Sequence, residues 1–343
     1  MFNLLPPELV RQIIESSVPL TYHGETYVDR QSLLRSLCLV CKLFRDIAQP
    51  ILREIVSLSG TKVKARLSGL LVSNDSAKNI REVRMWSLDR QTNSNVLLEK
   101  LITTCPNLEM LDLNVFGAQE GLKLQTISGL KKLRTLRLFA YSLQLDSLSF
   151  PSLRSLAITA SHSAETTQQL LNSSHFPSLR ALAFRPSSAS SLLDIYTHPP
   201  CASLFDRLDA FFIPDQALSP TLIRHQPLLE KMLVHFSPSL PEWWHELAFR
   251  VHHASIRHYS LRHFTKTLRE VDDCALRSVH LARPNQDDLT SNPTLASNYG
   301  TLLIACRERK IEVILEAQEE DSDGYPFVSH EFWRRQRVLR GSG

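Results

Sequence analysis

A repeated apolar pattern constrains the fold of this chain more than any other feature of its sequence. The pattern apolar-x-x-apolar-x-apolar recurs nine times, with starting positions 28, 25, 20, 26, 29, 21, 27 and 20 residues apart. Repeats of roughly 20 to 29 residues, each with one strand, are typical of solenoid proteins. The matches are Ile80/Val83/Met85, Leu108/Leu111/Leu113, Leu133/Leu136/Leu138, Leu153/Leu156/Ile158, Leu179/Leu182/Phe184, Leu208/Phe211/Ile213, Leu229/Met232/Val234, Ile256/Tyr259/Leu261 and Leu276/Val279/Leu281.

Helical segments separate these predicted strands. Residues 96–104 carry apolar residues at helical spacing, and Pro220, Pro241 and Pro293 each stand where a helix could begin. A last strand is predicted over residues 310–315. Strands that alternate with helices predict an α/β fold with parallel strands. A doubly wound α/β sheet shows the same alternation and is the alternative.

The first 58 residues carry a different pattern, in which Pro6 and Pro7 predict the start of a helix. Two apolar stripes follow, separated by a polar segment over residues 16–31. A segment this small buries little apolar surface, so we expect part of it to cover a partner. A plain helical cap on the next domain is the alternative. The stripes contain Leu9, Ile13 and Ile14, then Leu34, Leu37, Val40, Cys41 and Phe44.

Residues 4–58 resemble an F-box, a helical module that binds the Skp adaptor of a cullin ubiquitin ligase. The resemblance, of a type found in many fungal proteins, rests on Leu5-Pro6-Pro7-Glu8-Leu9, on Leu-Val-Cys-Lys-x-Phe at residues 39–44 and on Ala48-Gln49-Pro50-Ile51-Leu52. The polar segment is longer than a short F-box loop, and Phe44 replaces a common tryptophan. The resemblance implies adaptor contacts from Leu5, Pro6, Leu9, Ile13, Ile14, Leu37, Val40, Cys41 and Phe44.

Residues 80–315 resemble the divergent leucine-rich repeats that follow an F-box in such proteins. This implies a solenoid with parallel strands on its concave side and helices on its convex side. Residues 59–79 would be a linker, and residues 316–343 a charged C-terminal tail. Regular repeats place an asparagine three residues after the last leucine, where this chain has Phe116, Tyr141, Ser161 and Ser187. The resemblance therefore implies an irregular solenoid.

Side chains that alternate with the buried ones would face the concave side of such a solenoid. This predicted face mixes cations with aromatic residues. It suits a target protein with an acidic or phosphorylated segment, because arginine binds carboxylate and phosphate through two hydrogen bonds. The alternative is that arginine is simply common at exposed strand positions. The candidate target-binding residues are Arg84, Trp86, Arg137, Phe139, Arg185, Phe212, Lys231, His258 and His280.

Composition limits the classes of partner. The chain has 343 residues, of which 43% are apolar and 22% charged, which predicts a globular protein with a sizeable core. A net charge of +4 is low for a nucleic-acid-binding protein of this size. Six scattered cysteines suit reduced thiols inside a cell. With neither a signal peptide nor a long apolar stretch in the sequence, we expect an intracellular protein, cytoplasmic and/or nuclear, that binds no membrane.

The motifs that would indicate chemistry are incomplete. Cys38-Leu39-Val40-Cys41 has the spacing of a zinc knuckle, but no second pair follows it. His245-Glu246 and His330-Glu331 lack the later histidine of a zinc protease. We therefore predict no catalytic residue, no metal and no cofactor.

The end of the chain is basic. Arg334, Arg335, Arg337 and Arg340 follow Phe332-Trp333. These arginines predict either a nuclear-localisation patch or the solvated face of a C-terminal helix.

Taken with the resemblance, these patterns predict a non-catalytic, substrate-recruiting subunit of a Skp/cullin/F-box ubiquitin ligase. The helical module would bind the adaptor, and through it a cullin, while the repeats bind a target protein. One alternative is an F-box scaffold protein with no role in ubiquitin transfer. Another is an enzyme on an α/β sheet, which would need a deep pocket with convergent titratable groups.

Overall fold

The structure is a computed structural model of the chain that divides into two compact units. Unit 1 comprises Met1–Asp146 and Glu319–Gly324, and unit 2 comprises Ser147–Gln318 and Tyr325–Gly343. The structure describes residues 5–18, 24–59, 77–88, 94–115, 121–140, 142–159, 164–185, 189–214, 218–224, 226–236, 249–282, 284, 286–316 and 330–339.

Unit 1 begins with three helices and continues with strands that alternate with helices. The helices are α1 (Pro7–Ser17), α2 (Gly24–Val40), α3 (Lys42–Arg53), α4 (Ser94–Thr104) and α5 (Leu124–Ser128). The strands are β1 (Ile55–Ser59), β2 (Glu82–Leu88), β3 (Met110–Val115), β4 (Leu122–Lys123), β5 (Thr135–Ala140) and β6 (Leu143–Gln144). Neighbouring strands pair in parallel in the order β1-β2-β3-β5, and β4 pairs with β6 in a separate small sheet.

The three N-terminal helices pack around a small apolar core. As the paired prolines predict, α1 begins at Pro7, and the carbonyl of Pro6 accepts hydrogen bonds from the first free backbone N–H groups of the helix. One face of each helix is buried, as its apolar spacing requires. The core residues are Val10, Ile14, Val18, Leu34, Ala48 and Ile51.

The second predicted stripe is broken in the structure. α2 ends at Val40, and Cys41 adopts an extended conformation with φ −162° and ψ 174° as the N-cap of α3. The Nε of Arg45 donates a hydrogen bond to the carbonyl of Cys38 at 3.2 Å, which links the two helices at this turn. The prediction of one continuous stripe from Leu34 to Phe44 is therefore wrong, because residues on two helices do not share one helical period.

A buried asparagine joins the small sheet of unit 1 to α4. The Nδ2 of Asn95 donates to the carbonyl of Gly121 at 3.1 Å, and its Oδ1 accepts from the N–H of Lys123 at 3.0 Å. Gly121 has φ +75°, and an added Cβ would lie 3.0 Å from the Oγ of Ser142. The turn before β4 therefore depends both on glycine and on the amide of Asn95.

We expect Asn95→Ala to lower the free energy of unfolding of unit 1 by about 2 kcal/mol, because two backbone groups lose a buried partner. Urea denaturation followed by circular dichroism measures the change. Asn107→Ala is the matched control, since the side chain of Asn107 bonds the carbonyl of Lys78 at the surface, where water can replace it. Equal effects of the two substitutions would contradict this role for Asn95.

Unit 2 repeats the alternation of strands and helices. Its strands are β7 (Ser155–Thr159), β8 (Ala181–Arg185), β9 (Ala210–Pro214), β10 (Met232–Phe236), β11 (His253–Ile256), β12 (Ser278–Ala282) and β13 (Glu312–Glu316). Its helices are α6 (Ala164–Leu170), α7 (Ala189–Thr197), α8 (Pro199–Arg207), α9 (Pro220–Ile223), α10 (Gln226–Leu229), a 3-10 turn (His258–Ser260), α11 (Leu261–Glu270), α12 (Gln286–Ser291), α13 (Pro293–Glu308) and α14 (His330–Leu339). The strands β7 to β13 pair in parallel in sequence order.

The same backbone joint recurs at the start of strands in both units. In each case one carbonyl accepts hydrogen bonds from two consecutive N–H groups of the next repeat. In unit 1 the carbonyl of Glu54 accepts from Arg81 and Glu82, at 2.8 and 3.0 Å. The other accepting carbonyls of this kind are those of Arg81, Glu109, Arg154, Arg180 and His252. Each of these five follows the first position of an apolar-x-x-apolar-x-apolar segment, so the sequence period and the backbone joint report the same repeat.

The structure confirms the α/β class, with parallel strands alternating with helices. Within each unit the strand order does not reverse, whereas a doubly wound sheet reverses at its switch point. The last strand, predicted over residues 310–315, is β13.

The predicted match at Ile256/Tyr259/Leu261 is wrong. The strand lies earlier, at His253–Ile256, and Tyr259 is 60% exposed in the turn before α11. The true repeat is Val251/Ala254/Ile256, which is weak because alanine contributes little to an apolar pattern.

The strand β1 was not predicted. Val56 and Leu58 pair with Val83 and Met85 of β2, so they hold the fourth and sixth positions of a repeat. Its first position is Arg53, a charged residue, which hides the pattern. The parallel strands consequently begin at Ile55, inside the segment that the sequence assigned to the helical module.

Candidate docking surfaces

Helix α1 and the residue before Pro6 present apolar side chains to solvent beside the buried face of the helix. We call Leu5, Leu9 and Ile13 the α1 stripe; they are spaced four residues apart and are 37%, 45% and 53% exposed. The helix also buries Val10 and Ile14 in the three-helix core. These side chains widen the apolar surface of α1 beyond the part that its own core uses, and a contiguous exposed apolar surface is typical of an interaction site.

A second exposed apolar segment lies where α2 meets α3. Leu39 is 82% exposed and Val40 is 60% exposed, and Cys41 is also exposed. Leu39 was not among the predicted contacts, because it stands outside the helical stripe of Leu34 and Leu37. Helix α2 ends at Val40, so these side chains have no further turn of that helix to pack against.

The predicted adaptor contacts divide into three groups by burial. Leu5, Pro6, Leu9, Ile13, Val40 and Cys41 are exposed, whereas Leu37 and Phe44 are half-buried against the core. Ile14 is 2% exposed and cannot reach a partner in this conformation, so its place among the contacts is wrong. Ile13 and Ile14 are separated by about 100° around the helix axis, so both cannot face the same way.

The predicted cations of the unit 1 strands are not exposed. Arg84 is 3% exposed, and its Nε lies 2.6 Å from the Oε1 of Glu82. Arg137 is largely buried and lies 3.9 Å from the Oδ2 of Asp112. These arginines stabilise the strands through ion pairs instead of facing an acidic ligand. Phe139 is half-buried, and the side chain of Trp86 lies outside the described part of the structure.

In unit 2 the predicted target-binding residues are buried for different reasons. The Nζ of Lys231 donates to the carbonyls of Phe205 and Asp206, at 2.5 and 3.3 Å, and so caps the C-terminal end of α8. Phe212 and His280 are each 2% exposed because α14 covers them. The side chains of Arg185 and His258 lie outside the described residues.

The strands of unit 2 carry a row of side chains that lie side by side by register. We call this set the unit 2 row; it runs from small and apolar residues to histidine and then to a carboxylate. Its members are Ala157, Ala183, Phe212, Leu233, His253, Ser278 and Glu312, on β7 to β13 in order.

Helix α14 packs on the unit 2 row. The ring of Phe332 is 2% exposed and meets the rings of Phe212, His253 and His280 with centroid distances of 5.5, 5.1 and 5.3 Å. Trp333 packs against the same cluster of alanines and Leu233. The predicted C-terminal tail thus contains a helix, as one of the two interpretations of its arginines required.

Two histidines that contact Phe332 are linked through Ser278. The Oγ of Ser278 lies 2.8 Å from the Nδ1 of His253 and 3.2 Å from the Nε2 of His280. Burial lowers the pKa of His253 to about 3, and His280, His252 and Arg277 lower it further. Burial, with Arg257 nearby, also lowers the pKa of His235 to about 3. These imidazoles are therefore neutral at physiological pH.

The three buried cysteine thiols, those of Cys105, Cys201 and Cys306, are not activated. Burial raises the pKa of Cys105 and Cys201 to about 11 and that of Cys306 to about 12. Within the described ranges no three histidine, cysteine or acidic side chains come together to hold a metal ion. Nor does any described helix have the length and apolar character needed to cross a membrane.

Comparisons with known proteins add little. No family model matches the chain, and no curated protein matches it significantly. Among solved structures, a protein from Bacteroides fragilis determined by a structural genomics consortium is 10% identical, with a TM-score of 0.33 over 80% of this chain and 67% of the other. A match at this level supports no conclusion about function.

Proposed function

We propose that this chain is the target-recruiting subunit of a Skp/cullin/F-box ubiquitin ligase. In this proposal α1, α2 and α3 form an F-box that binds a Skp-family adaptor. The observation that carries the proposal is the α1 stripe, because exposed apolar side chains beside a helix's own buried face are what adaptor binding requires. The exposed Leu39 and Val40 extend the apolar surface available on the same three-helix module.

In the same proposal the strands are the inner face of an irregular leucine-rich-repeat solenoid. The recurring backbone joint supports it, because six of the described repeats join the next one through the same pair of hydrogen bonds. Each of β2, β3, β5 and β7 to β10 begins where the period of 20 to 29 residues places it. The solenoid would bind the target protein.

The chain would accelerate ubiquitin transfer by proximity. Holding a lysine of the target close to a charged conjugating enzyme converts a bimolecular encounter into a local one. The other subunits would supply the chemistry, so no catalytic residue is assigned to this chain.

A binding titration against a purified Skp-family adaptor tests the proposal. We expect Ile13→Asp to weaken binding about 30-fold or more, because a buried charge would replace an apolar contact. Ile304→Asp is the matched control, since Ile304 is 52% exposed on α13 in unit 2 and Ile13 is 53% exposed. Absence of binding by the wild-type chain, or equal weakening by both substitutions, would contradict the proposal.

A scaffold protein would also bind the adaptor, so a second measurement separates the two functions. If the chain recruits targets for degradation, at least one bound protein rises in abundance when Ile13→Asp replaces the wild-type chain in cells. Under the scaffold alternative the abundance of every bound protein stays the same.

A further inference from the structure

The unit 2 row has the chemistry of a binding surface, and the corresponding positions in unit 1 do not. The fifth position of the repeat is Arg84, Asp112 or Arg137 in β2, β3 and β5, where it forms buried ion pairs. In β7 and β8 the same position is alanine. Neighbouring alanines leave room for a large side chain from another segment, and Phe332 fills that room.

Helix α14 is held at this surface by a small number of contacts. Phe332 is its buried anchor, and Trp333 packs beside it. The NH1 of Arg335 lies 2.7 Å from the Oε1 of Glu312, but both side chains are more than a third exposed, so the pair contributes little. Val338 and Leu339 are 71% and 79% exposed at the end of the helix. Gln336 is 6% exposed, so α14 is buried along one face and exposed on the other and at its C-terminal end.

One polar atom of α14 has no hydrogen bond where the helix packs on unit 2. Within the described residues the Nε1 of Trp333 is buried without a partner. The Nδ1 of His235 is also buried without a partner, and His235 follows Leu233 by two positions on β10, so it lies on the same face of the sheet. Buried polar groups are normally satisfied, so the hydrogen bonds between α14 and this face are not fully complementary.

We propose that the unit 2 row is a recognition surface for a helical segment of a partner protein. That segment carries an aromatic residue followed three positions later by a basic residue, as Phe332 and Arg335 do in α14. The aromatic ring enters between the alanines, Phe212 and the histidines, and the basic residue pairs with Glu312. Helix α14 is the intramolecular occupant of this surface, and a partner helix replaces it. Only the identification of the partner as a ligase target rests on the proposed function.

Helix α14 and the strands it covers belong to one chain. Residues 317–329 connect β13 to α14 in the sequence, and a covalent connection raises the effective concentration of the helix above that of a separate molecule. A free peptide of the same sequence must compete against that concentration. Loss of the anchor ring removes the competitor and leaves the surface intact.

Binding of a labelled peptide with the sequence of residues 330–339 to the full chain tests the inference. We expect Phe332→Ala to strengthen binding of this peptide at least tenfold relative to the wild-type chain. The control peptide carries Phe332→Ala itself and should not bind. Equal binding of the peptide to both chains, or equal binding of both peptides, would overturn the inference.

Charge substitutions at the exposed ion pair provide a second test that does not disturb the core. Arg335→Glu in the chain is expected to strengthen binding of the wild-type peptide severalfold, because Glu312 loses its intramolecular partner. Adding Glu312→Arg should abolish that gain and favour a peptide that carries Arg335→Glu. Failure of both effects would overturn the proposed register of the helix.

Adaptor binding measured on the same proteins keeps the two proposals distinguishable. All of these substitutions lie in unit 2, so adaptor binding should be unchanged if α1–α3 contact the adaptor. If the wild-type chain does not bind the adaptor, only the proposed function is contradicted. If Phe332→Ala and the wild-type chain bind the peptide equally, only the recognition surface is contradicted.

Discussion

Acidification from about pH 7.5 to about pH 5 is expected to lower the free energy of unfolding of unit 2 by about 4 kcal/mol. The effect comes from His235 and His253, whose pKa values burial lowers to about 3. Between about pH 6.5 and about pH 3 the unfolded chain binds protons on both imidazoles and the folded chain does not, so stability falls as the pH falls. Above about pH 6.5 the contribution is complete. Each histidine supplies about 2 kcal/mol at about pH 5.

Urea denaturation at several pH values, followed by circular dichroism, measures this dependence. The double substitution His235→Gln and His253→Gln should remove at least half of the loss. His263→Gln on α11 is the control, because His263 is exposed and meets water in both states. A pH dependence that survives the double substitution undiminished would show that other groups cause it.

Protonation of His253 also affects the packing of α14 on the unit 2 row. The ring of His253 contacts Phe332 at a centroid distance of 5.1 Å, so a charged His253 would be covered by an apolar ring. Release of α14 exposes the imidazole to water. Protonation therefore favours release of α14. The peptide with the sequence of residues 330–339 should bind Phe332→Ala more tightly than it binds the wild-type chain, and this difference in affinity should be smaller at low pH than at high pH.

Glu82→Ala is expected to lower the free energy of unfolding of unit 1 by about 3 kcal/mol or more. The side chain of Arg84 is 4% exposed, and Glu82 is its closest ion-pair partner at 2.6 Å. Loss of one carboxylate leaves a buried guanidinium charge with less compensation, which costs far more than the pair itself contributes. The midpoint of urea denaturation measures the change.

The matched control is Glu15→Ala, which also removes a glutamate from an arginine pair. Arg11 and Glu15 lie 2.7 Å apart, but their side chains are 62% and 47% exposed. An exposed pair of this kind is screened by water, so we expect a change in midpoint close to the error of the measurement. If Glu82→Ala has no larger effect than Glu15→Ala, Arg84 is solvated in solution and becomes available again as a ligand-binding residue.

The repeat pattern predicted the strands well where each repeat has three strong apolar residues. The last two residues of Leu108/Leu111/Leu113 and of Leu179/Leu182/Phe184 lie in β3 and β8, because a strand that buries one face needs apolar residues at alternate positions. The pattern failed at β1 and β11, where Arg53 and Ala254 replace a large apolar residue. In both cases the backbone joint at the carbonyl of Glu54 or His252 defines the repeat.

The candidate sites were predicted less completely than the strands. Leu9 and Ile13 are exposed as the resemblance required, but Ile14 is part of the core, because resemblance to a motif does not say which of two adjacent residues faces outward. Leu39 was not predicted, because the apolar spacing does not show that α2 ends just before Cys41. Two arginines of the predicted cationic face lie in ion pairs, Arg84 with Glu82 on its own strand and Arg137 with Asp112 on the adjacent strand, which considering each arginine by itself did not predict.

The amino-acid sequence by itself determined that this chain forms parallel strands alternating with helices, because local apolar spacing decides which face of each element is buried. It also predicted helices near the N-terminus, but not that α2 begins at Gly24, inside the polar segment, and ends at Val40. The tertiary structure alone decided that Arg84 lies in a buried ion pair and that Phe332 occupies the row formed by Ala183, Phe212 and His253. Those outcomes depend on which distant segment covers the other face of the strands. Phe332 is far in the sequence from the strands that it covers, and the pair formed by Arg84 and Glu82 is buried only because other segments cover β2, so neither outcome leaves a periodic trace in the sequence.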